Sequence, residues 1–564
     1  MLPHKIFRER TTSVAHRTAL QSALILSAIL GLSACGGSDG GGDLTLGPGG
    51  GGGSGGLPIG GGGSGGGSAT YQKGVFPNAD SFAAKCAIPR TGPNPETPGQ
   101  SFPDGAGTAF DEKMWLRSWT NDLYLWYNEV EDIDPGTFTV ENYFLNLKTF
   151  ASTPSGAAKD QFHFDYPTSF WYTLSTGGAS AGYGLTWYFI PGATRRVAVA
   201  YIETGSGSPA VAAGVTRGML VLSVDGTDIG ALDNASVAKL SAGLFPERAG
   251  EPHTFVFSQN VGPATVTKTL VSANVSSTPV RDIATFGNVG YMLFNDHIAT
   301  AEQQLIDAIN QFRTAGIRDL VLDIRYNGGG YLDIASELAY MIGGTNVLGK
   351  TFEELQFNSK HTTVNPVTGR NLQPVSFHTQ AIGFPVTTGT AATAGTSLPT
   401  LNLDRVFVLT GPDTCSASES IMNSLRGAGV EVIQIGSTTC GKPYGFYPED
   451  NCGTTYFSIQ FRGINAMGFG DYADGFVPTD AASANTQDKV IGCDVDDDLS
   501  HALGSQSEAR FSAALNYISS GVCPASASGF AGKQSIAGSG PNSLSAVKGK
   551  VVKPPFLENR IMRR

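Results

Sequence analysis

A serine, a downstream lysine and a run of glycines are the residues of this 564-residue chain whose types and spacing could do chemistry. Ser416 lies in TCSASE (414–419), and Lys442 lies in TTCGKPYG (438–445). A serine hydroxyl is a weak nucleophile at neutral pH, and a neighbouring desolvated lysine can take its proton. Because an unperturbed lysine has a pKa of about 10.4, Lys442 must occupy a largely apolar pocket to act as a base.

The same serine also has a structural interpretation. Ser416 and Glu419 form the S-x-x-E pattern of a helix capping box, and Ile421, Met422 and Leu425 continue an apolar helical stripe. The two interpretations are compatible, because a helix N-terminus presents N–H groups that can stabilise an oxyanion.

The cysteines offer further chemistry. Cys415, directly before Ser416, is an alternative nucleophile that would need a nearby histidine. Six cysteines remain when the N-terminal Cys35 is set aside: Cys86, Cys415, Cys440, Cys452, Cys493 and Cys523. An even set in an exported protein predicts disulfides, and the local pairs we predict are Cys440–Cys452 and Cys493–Cys523. Zinc is disfavoured, because the sequence has no C-x-x-C motif and no histidine cluster. No metal or organic cofactor is expected.

The N-terminus predicts export. Residues 1–35 carry a basic stretch and then an apolar stretch, and they end in Leu-Ser-Ala-Cys35, which resembles a bacterial lipobox. That resemblance implies cleavage before Cys35, a lipid on its sulfur, and a place in the cell envelope, with Gly36 fitting the outer membrane. Residues 36–69 read as a flexible Gly/Ser linker. The net charge of −11 argues against nucleic acid as the main partner.

Residues 70–178 are predicted to form a small, mostly helical N-terminal domain. Their segment 115–127 has apolar and aromatic residues at helical spacing, which is typical of a packed helical core.

Residues 179–278 are predicted to be β-rich. The segments GYGLTW (182–187), GSPAVAAG (207–214) and RGMLVLSVDG (217–226) together resemble a bacterial PDZ domain. The resemblance implies that a peptide adds as a strand to a sheet edge, with its carboxylate held by the backbone N–H groups of Gly182, Tyr183, Gly184 and Leu185. The alternative is a plain β-domain that positions the rest of the chain.

Residues 279–523 are predicted to be α/β, because helical and strand patterns alternate. The predicted elements are a helix over 302–313, a strand over 319–324, a helix from 332, strands over 405–409 and 431–435, and a half-buried strand over 454–462. The tail, 524–564, has low complexity and is predicted to be disordered or loosely docked.

Three motifs behind the PDZ-like segment, DIRYNGGG (323–330), TCSASE and GK (441–442), resemble the C-terminal processing (tail-specific) serine peptidases, over about residues 110–520. The resemblance implies a multidomain α/β protein with a ClpP/crotonase-like peptidase core. Its nucleophile would be Ser416 and its general base Lys442. Its oxyanion donors would be the backbone N–H of Ala417 and of a glycine in 328–330, for which we name Gly328 and Gly329.

Supporting positions follow from the same resemblance. Asp323, Arg325 and Asn327 would shape the oxyanion turn. The family often has a glutamine four residues after the lysine, where this chain has Phe446, and Gln460 is a candidate to replace it.

His297 is an alternative base, although a single histidine in a strand-like run is more typical of a structural role.

Two rival motifs are weaker. GSTTCGK (436–442) resembles a phosphate-binding loop, but Pro443 replaces the Ser or Thr that would bind Mg²⁺. The acidic run at 494–498 could bind calcium, but it lacks the glycine and glutamate of an EF-hand loop and is more typical of a cap on a helix over 499–518.

Together these features predict a lipid-anchored envelope serine endopeptidase that cleaves unfolded or C-terminal segments of exported proteins. The alternative is a catalytically inactive lipoprotein that binds peptides through its PDZ groove.

Overall fold

The computed structural model describes residues 70–191, 194–205, 207–258, 264–480, 484, 486–524, 549–552 and 560–562. The predicted signal segment, the predicted lipidation site Cys35 and the predicted Gly/Ser linker lie outside these residues. The described residues from Gln72 onward form one compact unit. Within the described ranges, no helix combines the length and the apolar character needed to cross a bilayer.

The first segment, residues 70–178, is built around the helix α1. This helix begins at a capping box in which Thr108 and Asp111 exchange hydrogen bonds, and Trp115 stacks on Trp119 with ring centres 5.2 Å apart. The elements of this segment are β1 (Lys85–Cys86), β2 (Gly105–Ala106), α1 (Ala109–Leu123), α2 (Val140–Asn146), β3 (Phe164–Pro167), α3 (Thr168–Gly177) and 3₁₀ turns at Ala79–Ser81, Tyr127–Glu129 and Pro135–Thr137. The predicted helical stripe over 115–127 is present, but the helix ends at Leu123 because Tyr124 turns to an extended backbone.

The second segment, residues 179–278, forms an antiparallel sheet with the strand order β10-β9-β7-β6-β5. Its elements are β4 (Ala179–Gly182), β5 (Leu185–Ile190), β6 (Arg196–Ile202), α4 (Pro209–Ala212), β7 (Leu220–Val224), β8 (Thr227–Asp228), α5 (Asn234–Leu244), β9 (Pro252–Ser258), β10 (Thr265–Val271) and β11 (Ala273–Ser276). Trp187, Leu240 and Phe255 belong to the apolar core of this segment. The β-rich prediction for these residues agrees with this sheet.

The third segment contains a seven-stranded sheet with the order β12-β13-β14-β18-β19-β25-β24, in which every pair but β12–β13 is parallel. Its strands are β12 (Val280–Phe286), β13 (Val289–Phe294), β14 (Asp319–Asp323), β15 (Gly330–Tyr331), β16 (Thr351–Phe357), β17 (Val375–Ser376), β18 (Arg405–Thr410), β19 (Glu431–Gly436), β20 (Tyr444–Gly445), β21 (Glu449–Asn451), β22 (Thr454–Phe457), β23 (Phe461–Ile464), β24 (Val477–Thr479) and β25 (Lys489–Asp494). Its helices are α6 (Ala301–Ala315), α7 (Leu332–Gly343), α8 (Ala417–Gly427), α9 (Ala509–Ser520) and a 3₁₀ turn at Gly344–Asn346.

Helices cover both faces of this parallel sheet. Leu322 and Val408 pack on the side of α6, α7 and α8, whereas Val321 and Leu409 pack against Phe511 of α9. A strand that is buried on both faces has a continuous run of apolar residues in the sequence. For this reason the positions predicted from the sequence for β14, β18 and β19 agree with the structure.

Strand pairing also joins the first segment to the third. β3 pairs with β22, and a disulfide connects Cys86 to Cys452. The predicted strand over 454–462 is split into β22 and β23, and it is buried on both sides rather than half-buried, with Gln460 fully buried. The first segment packs on Phe457 and Ile459, whereas the Gln460 side chain, which was expected to face water, bonds the Tyr447 backbone.

The disulfides correct one sequence prediction and confirm another. The pair Cys493–Cys523 is present. The pair Cys440–Cys452 is wrong, because Cys440 is bonded to Cys415 and Cys452 to Cys86. Sequence proximity was a poor guide, since the true partner of Cys452 is 366 residues away.

The end of the chain is not loose where it is described. β26 (Lys550–Val552) pairs with β5, and β27 (Arg560–Ile561) pairs with β15. The prediction of a disordered or loosely docked tail is therefore wrong for these residues.

The acidic run also differs from its prediction. The helix α9 begins at Ala509, not at 499, and its N-cap is Glu508, which accepts the Phe511 N–H at 3.0 Å. Asp497 instead accepts a hydrogen bond from Arg325 at 3.0 Å.

Two buried glutamates hold a loop over α6 and α7. Glu302 accepts the N–H groups of Gly383 and Phe384 at 2.8 and 2.9 Å, and Glu337 accepts the Ile382 N–H at 2.9 Å. Burial, and then the nearby negative charge of Glu302, raise the pKa of Glu337 to about 9. Glu337 is therefore protonated in the folded chain at neutral pH.

We expect Glu337→Gln to flatten the pH dependence of stability. A raised pKa means that the folded chain keeps a proton which the unfolded chain loses above about pH 4.5. The free energy of unfolding therefore falls between about pH 5 and 9, by at most about 1.4 kcal/mol per pH unit. Urea unfolding at pH 5, 7 and 9 measures the slope. The exposed Glu247→Gln is the control, and an unchanged slope in Glu337→Gln contradicts the assignment.

Candidate active site

Ser416 lies on the turn between β18 and α8. Its φ of 59° is in the left-handed region, which non-glycine residues rarely adopt. Neighbouring hydrogen bonds hold it there: the Ser416 N–H donates to Glu419 at 2.8 Å, and the Cys415 N–H donates to the Asn327 carbonyl at 3.1 Å. The Ser416 side chain is buried, and its Oγ has no hydrogen-bond partner among the described residues.

The carboxylate of Glu419 joins the serine loop to the lysine loop. Its Oε2 accepts the N–H of Ser416 and the N–H of Lys442, each at 2.8 Å. Its Oε1 accepts the Gly441 N–H at 2.9 Å and the Thr439 hydroxyl at 2.6 Å. The two backbone nitrogens of Ser416 and Lys442 therefore lie within two hydrogen-bond lengths of each other.

Burial raises the pKa of Glu419, and the hydrogen bonds from Thr439, Lys442, Ser416 and Gly441 oppose that rise. A disulfide reinforces the junction, because Cys415 precedes Ser416 and Cys440 lies two residues before Lys442.

Lys442 is fully buried, and two aromatic rings lie close to its ammonium group. The Nζ atom lies 4.2 Å from the centre of the Phe162 ring and 5.0 Å from the centre of the Phe446 ring. These two rings are apolar neighbours of the kind that the sequence required of a lysine base. One wall comes from the first segment of the chain, which sequence reasoning did not connect with the site.

The glycine turn after β14 is folded around Asn327. The Asn327 Oδ1 accepts the Gly329 N–H at 3.0 Å, and its backbone carbonyl accepts the Ser418 hydroxyl at 2.9 Å. The N–H of Gly329 is therefore used inside the turn. Among the described residues, the N–H groups of Gly328 and Ala417 make no hydrogen bond and stay available.

Gly330 must be a glycine. Its φ is 134°, and a Cβ there would lie 2.3 Å from the carbonyl oxygen of His297. The chain can therefore run close beside His297 only without a side chain at this position.

An ion cluster lies next to the turn. Arg325 is fully buried and binds Asp323 at 2.9 Å, Glu508 at 2.6 Å and Asp497 at 3.0 Å. Burial disfavours the charged form of Asp497, but the nearby arginines, Arg510 above all, favour it more strongly. They hold the pKa of Asp497 below its ordinary range. Asp497 is thus the anionic partner of arginines, and this geometry favours neither the calcium nor the helix-cap interpretation.

Three alternatives from the sequence are engaged elsewhere. Cys415 is in a disulfide and has no thiol to act as a nucleophile. The Gln460 amide bonds the Tyr447 backbone at 3.1 and 3.3 Å. The His297 ring lies 3.0 Å from the Asn327 oxygen through Nδ1 and packs on Phe294, which fits the structural role.

Metal and phosphate sites are not supported here. In the described part of the chain, the grouping with metal-ligand spacing is Cys415, Glu419 and Cys440, but its two sulfurs are joined to each other. The N–H groups of Gly441 and Lys442, which a phosphate-binding loop would offer to phosphate, are occupied by the Glu419 carboxylate.

The PDZ-like residues lie at the start of the strand β5. The Tyr183 side chain is buried, and its hydroxyl donates to the Gly243 carbonyl at 2.9 Å. Gly182 ends β4, Gly184 has a φ of 73°, and Leu185 begins β5 opposite Ile202. Among the described residues, no hydrogen bond joins these four residues to the Ser416 turn.

The site combines a buried serine at the start of a helix with a buried lysine on the adjoining loop, both carried by an α/β core. This combination defines the class of site. Residues 288–445, which contain the glycine turn, Ser416 and Lys442, match the model of peptidase family S41. This part of the chain is therefore similar to the S41 peptidases.

Relatives of this domain share the name of a processing enzyme. The chain is 27% identical over 242 residues to the carboxyl-terminal-processing protease of Picosynechococcus sp., covering 42% of this chain and 49% of that protein. It is 29% identical over 183 residues to the chloroplastic C-terminal processing peptidase of Tetradesmus obliquus, covering 30% and 38%. The match thus spans about half, or less, of the length of these relatives.

A solved structure shares the fold more widely. The crystal structure of a candidate S41 protease from Bacteroides fragilis NCTC 9343 aligns with a TM-score of 0.51 and 22% identity, covering 72% of this chain and 97% of that one. This likeness concerns the fold.

We expect Glu419→Gln to lower kcat with little change in KM. An amide would turn an NH₂ group toward backbone N–H donors, and a buried group left unsatisfied costs about 1–3 kcal/mol of stability. A shift of about 1 Å between reacting groups can cost about 10²-fold in rate. Steady-state kinetics measure kcat and KM, and urea unfolding measures the loss of stability. The exposed Glu131→Gln is the control, and an unchanged kcat in Glu419→Gln contradicts the role assigned to the carboxylate.

Proposed function

We propose that the chain is a serine endopeptidase of the cell envelope that cleaves unfolded or C-terminal segments of exported proteins. The observation that carries this proposal is the Glu419 junction, which fixes the backbones of Ser416 and Lys442 beside each other. The S41 match over the same residues supports it. The relatives' names supply the substrate class, which is carried over to this chain as part of the proposal.

The reaction would run through an ester on Ser416. The Ser416 Oγ attacks the scissile carbonyl carbon while the Lys442 Nζ takes its proton. The oxyanion that forms is held by the N–H groups of Ala417 and Gly328, since Gly329 already donates to Asn327. The carbon–nitrogen bond then breaks, and the leaving amine takes the proton from Lys442. A water molecule, deprotonated by Lys442, hydrolyses the ester and releases the free serine.

The edge of β5 is proposed as the place where substrate chain is gathered. Gly182, Tyr183 and Gly184 precede this strand and Leu185 begins it. β5 is the last strand of its sheet that residues 179–278 provide. A peptide can add to such an edge by backbone hydrogen bonds. The alternative function, a peptide-binding lipoprotein without turnover, is favoured by Phe446, which stands where the family often has a glutamine.

We expect Ser416→Ala and Lys442→Met each to lower casein cleavage by at least about 10³-fold, because loss of the nucleophile or its base leaves only binding and oxyanion stabilisation. The substrate is unfolded casein, and product peptides are counted by mass spectrometry. The exposed Ser169→Ala and Lys239→Met are matched controls. Activity that survives Lys442→Met moves the base to another residue. Casein binding without cleavage by the parent chain favours the lipoprotein alternative.

Lipid anchoring through Cys35 is the second part of the proposal. Cells expressing the full chain and fed radioactive palmitate should label the protein and retain it in the membrane fraction, because two or more acyl chains give stable anchoring. Cys35→Ser should abolish both the label and the retention, whereas Ser38→Ala should keep them. Labelling that persists in Cys35→Ser contradicts this assignment.

A further inference from the structure

The chain's own C-terminal segment lies on both surfaces that a substrate would use. Its first part, β26, runs antiparallel to β5, with Lys550 opposite Phe189 and Val551 opposite Tyr188. Because a sheet edge pairs with one strand at a time, β26 takes the edge at which a peptide would add.

The second part of the segment lies beside the glycine turn. β27 runs parallel to β15, so that Ile561 is opposite Tyr331. It also bridges to Phe446, whose carbonyl oxygen accepts the Met562 N–H at 3.0 Å. The strand β15 directly continues the turn that carries Gly328, and Phe446 lies four residues after Lys442. The segment therefore lies between the glycine turn and the lysine loop.

Two aliphatic side chains anchor the segment. Ile561 is 2% exposed and belongs to the apolar cluster that contains Cys415, Phe446 and Phe162. Val551 is 1% exposed, and its N–H donates at 2.9 Å to Asp413, three residues before Ser416. The apolar cluster that receives Ile561 thus includes a neighbour of the nucleophile and both rings that line the Lys442 pocket.

We propose that residues 549–552 and 560–562 bind in cis in the substrate groove and keep the enzyme self-occupied until a competing chain displaces them. This inference rests on the proposed peptidase function. A substrate carbonyl must come within about 3 Å of the oxyanion donors, so its chain has to lie along β15, where β27 now pairs. The site at β15 and Phe446 accordingly takes an extended peptide with an aliphatic side chain in the place of Ile561.

Tethering makes this occupancy effective. A segment joined to the same chain acts at an effective concentration on the order of millimolar. A free peptide has to compete against this effective concentration and would therefore displace the segment poorly. An unfolded protein that also binds the β5 edge makes a second contact and would compete better. Release of the segment should therefore lower KM more than it changes kcat.

Binding of a fluorescent peptide with the sequence of residues 549–562 tests the proposal without requiring catalysis. The receptors are full-length Ser416→Ala chains that also carry Ile561→Asp or, as the matched control, Ile88→Asp. Ile88 is 85% exposed, so an aspartate there disturbs no packing. Fluorescence anisotropy should show at least about 10-fold tighter binding to the Ile561→Asp chain, because a buried charge expels the tethered segment and opens the groove.

A peptide that itself carries the aspartate at the position of Ile561 should bind at least about 10-fold more weakly. A chain ending at residue 548 is a second receptor, and it should bind the parent peptide as the Ile561→Asp chain does. Equal binding to the Ile561→Asp and Ile88→Asp chains overturns the proposal, and so does failure of both opened chains to bind.

Casein cleavage by the same variants with Ser416 intact separates the two hypotheses. Peptide binding that follows the expected order, together with no cleavage by any variant, supports the groove and contradicts the peptidase function. Cleavage with the same KM in the Ile561→Asp and Ile88→Asp chains contradicts cis occupancy and leaves the peptidase function standing. A KM lowered by about 3-fold or more in Ile561→Asp supports both.

Discussion

The carboxylate of Glu419 is the constraint on which the site depends. One side chain accepts hydrogen bonds from the backbone of the serine loop and from the backbone of the lysine loop. A buried carboxylate without donors would be costly, so the two loops and the carboxylate stabilise one another. Each loop also follows a parallel strand of the central sheet, β18 and β19, which are direct neighbours. The sheet brings the two loops to the same edge, and the hydrogen bonds to Glu419 then set the spacing between them.

The site is assembled from distant parts of the chain. Phe162 of the first segment covers the ammonium group of Lys442, β3 of that segment pairs with β22, and β27 pairs beside the glycine turn. The described fold after residue 71 forms one unit for this reason. Catalytic geometry and the packing of the N-terminal segment are therefore coupled, and a change that loosens α1 or β3 would also open the lysine pocket.

The parallel core was predictable from the sequence because its strands are buried on both faces and read as apolar runs. The helix start at Ser416 was equally visible, since its motif and its apolar stripe are local. Phe162 as a wall of the site, and the Cys86–Cys452 disulfide, were not visible, because both depend on contacts across hundreds of residues. The role of Gly329 could not be predicted either, because the hydrogen bond from its N–H to the Asn327 Oδ1 forms only in the folded turn. The tail was misjudged at Lys550–Val552 and Arg560–Ile561, because its composition is that of a disordered segment, whereas these two strands gain backbone partners that only the folded sheets supply.

The bond between Cys415 and Cys440 ties the chemistry of the site to the compartment. Such bonds form in oxidising surroundings and are rare where thiols are kept reduced. Inside a reducing cytosol the serine and lysine loops would be held together by hydrogen bonds alone, namely those to Glu419 and the one from the Cys440 N–H to the Thr414 carbonyl. In the oxidising compartment that the proposed function assigns to the chain, the two loops would become one covalent ring. Under the proposed function, a site linked in this way would be best ordered in the oxidising compartment of its proposed substrates and least ordered in a reducing cytosol.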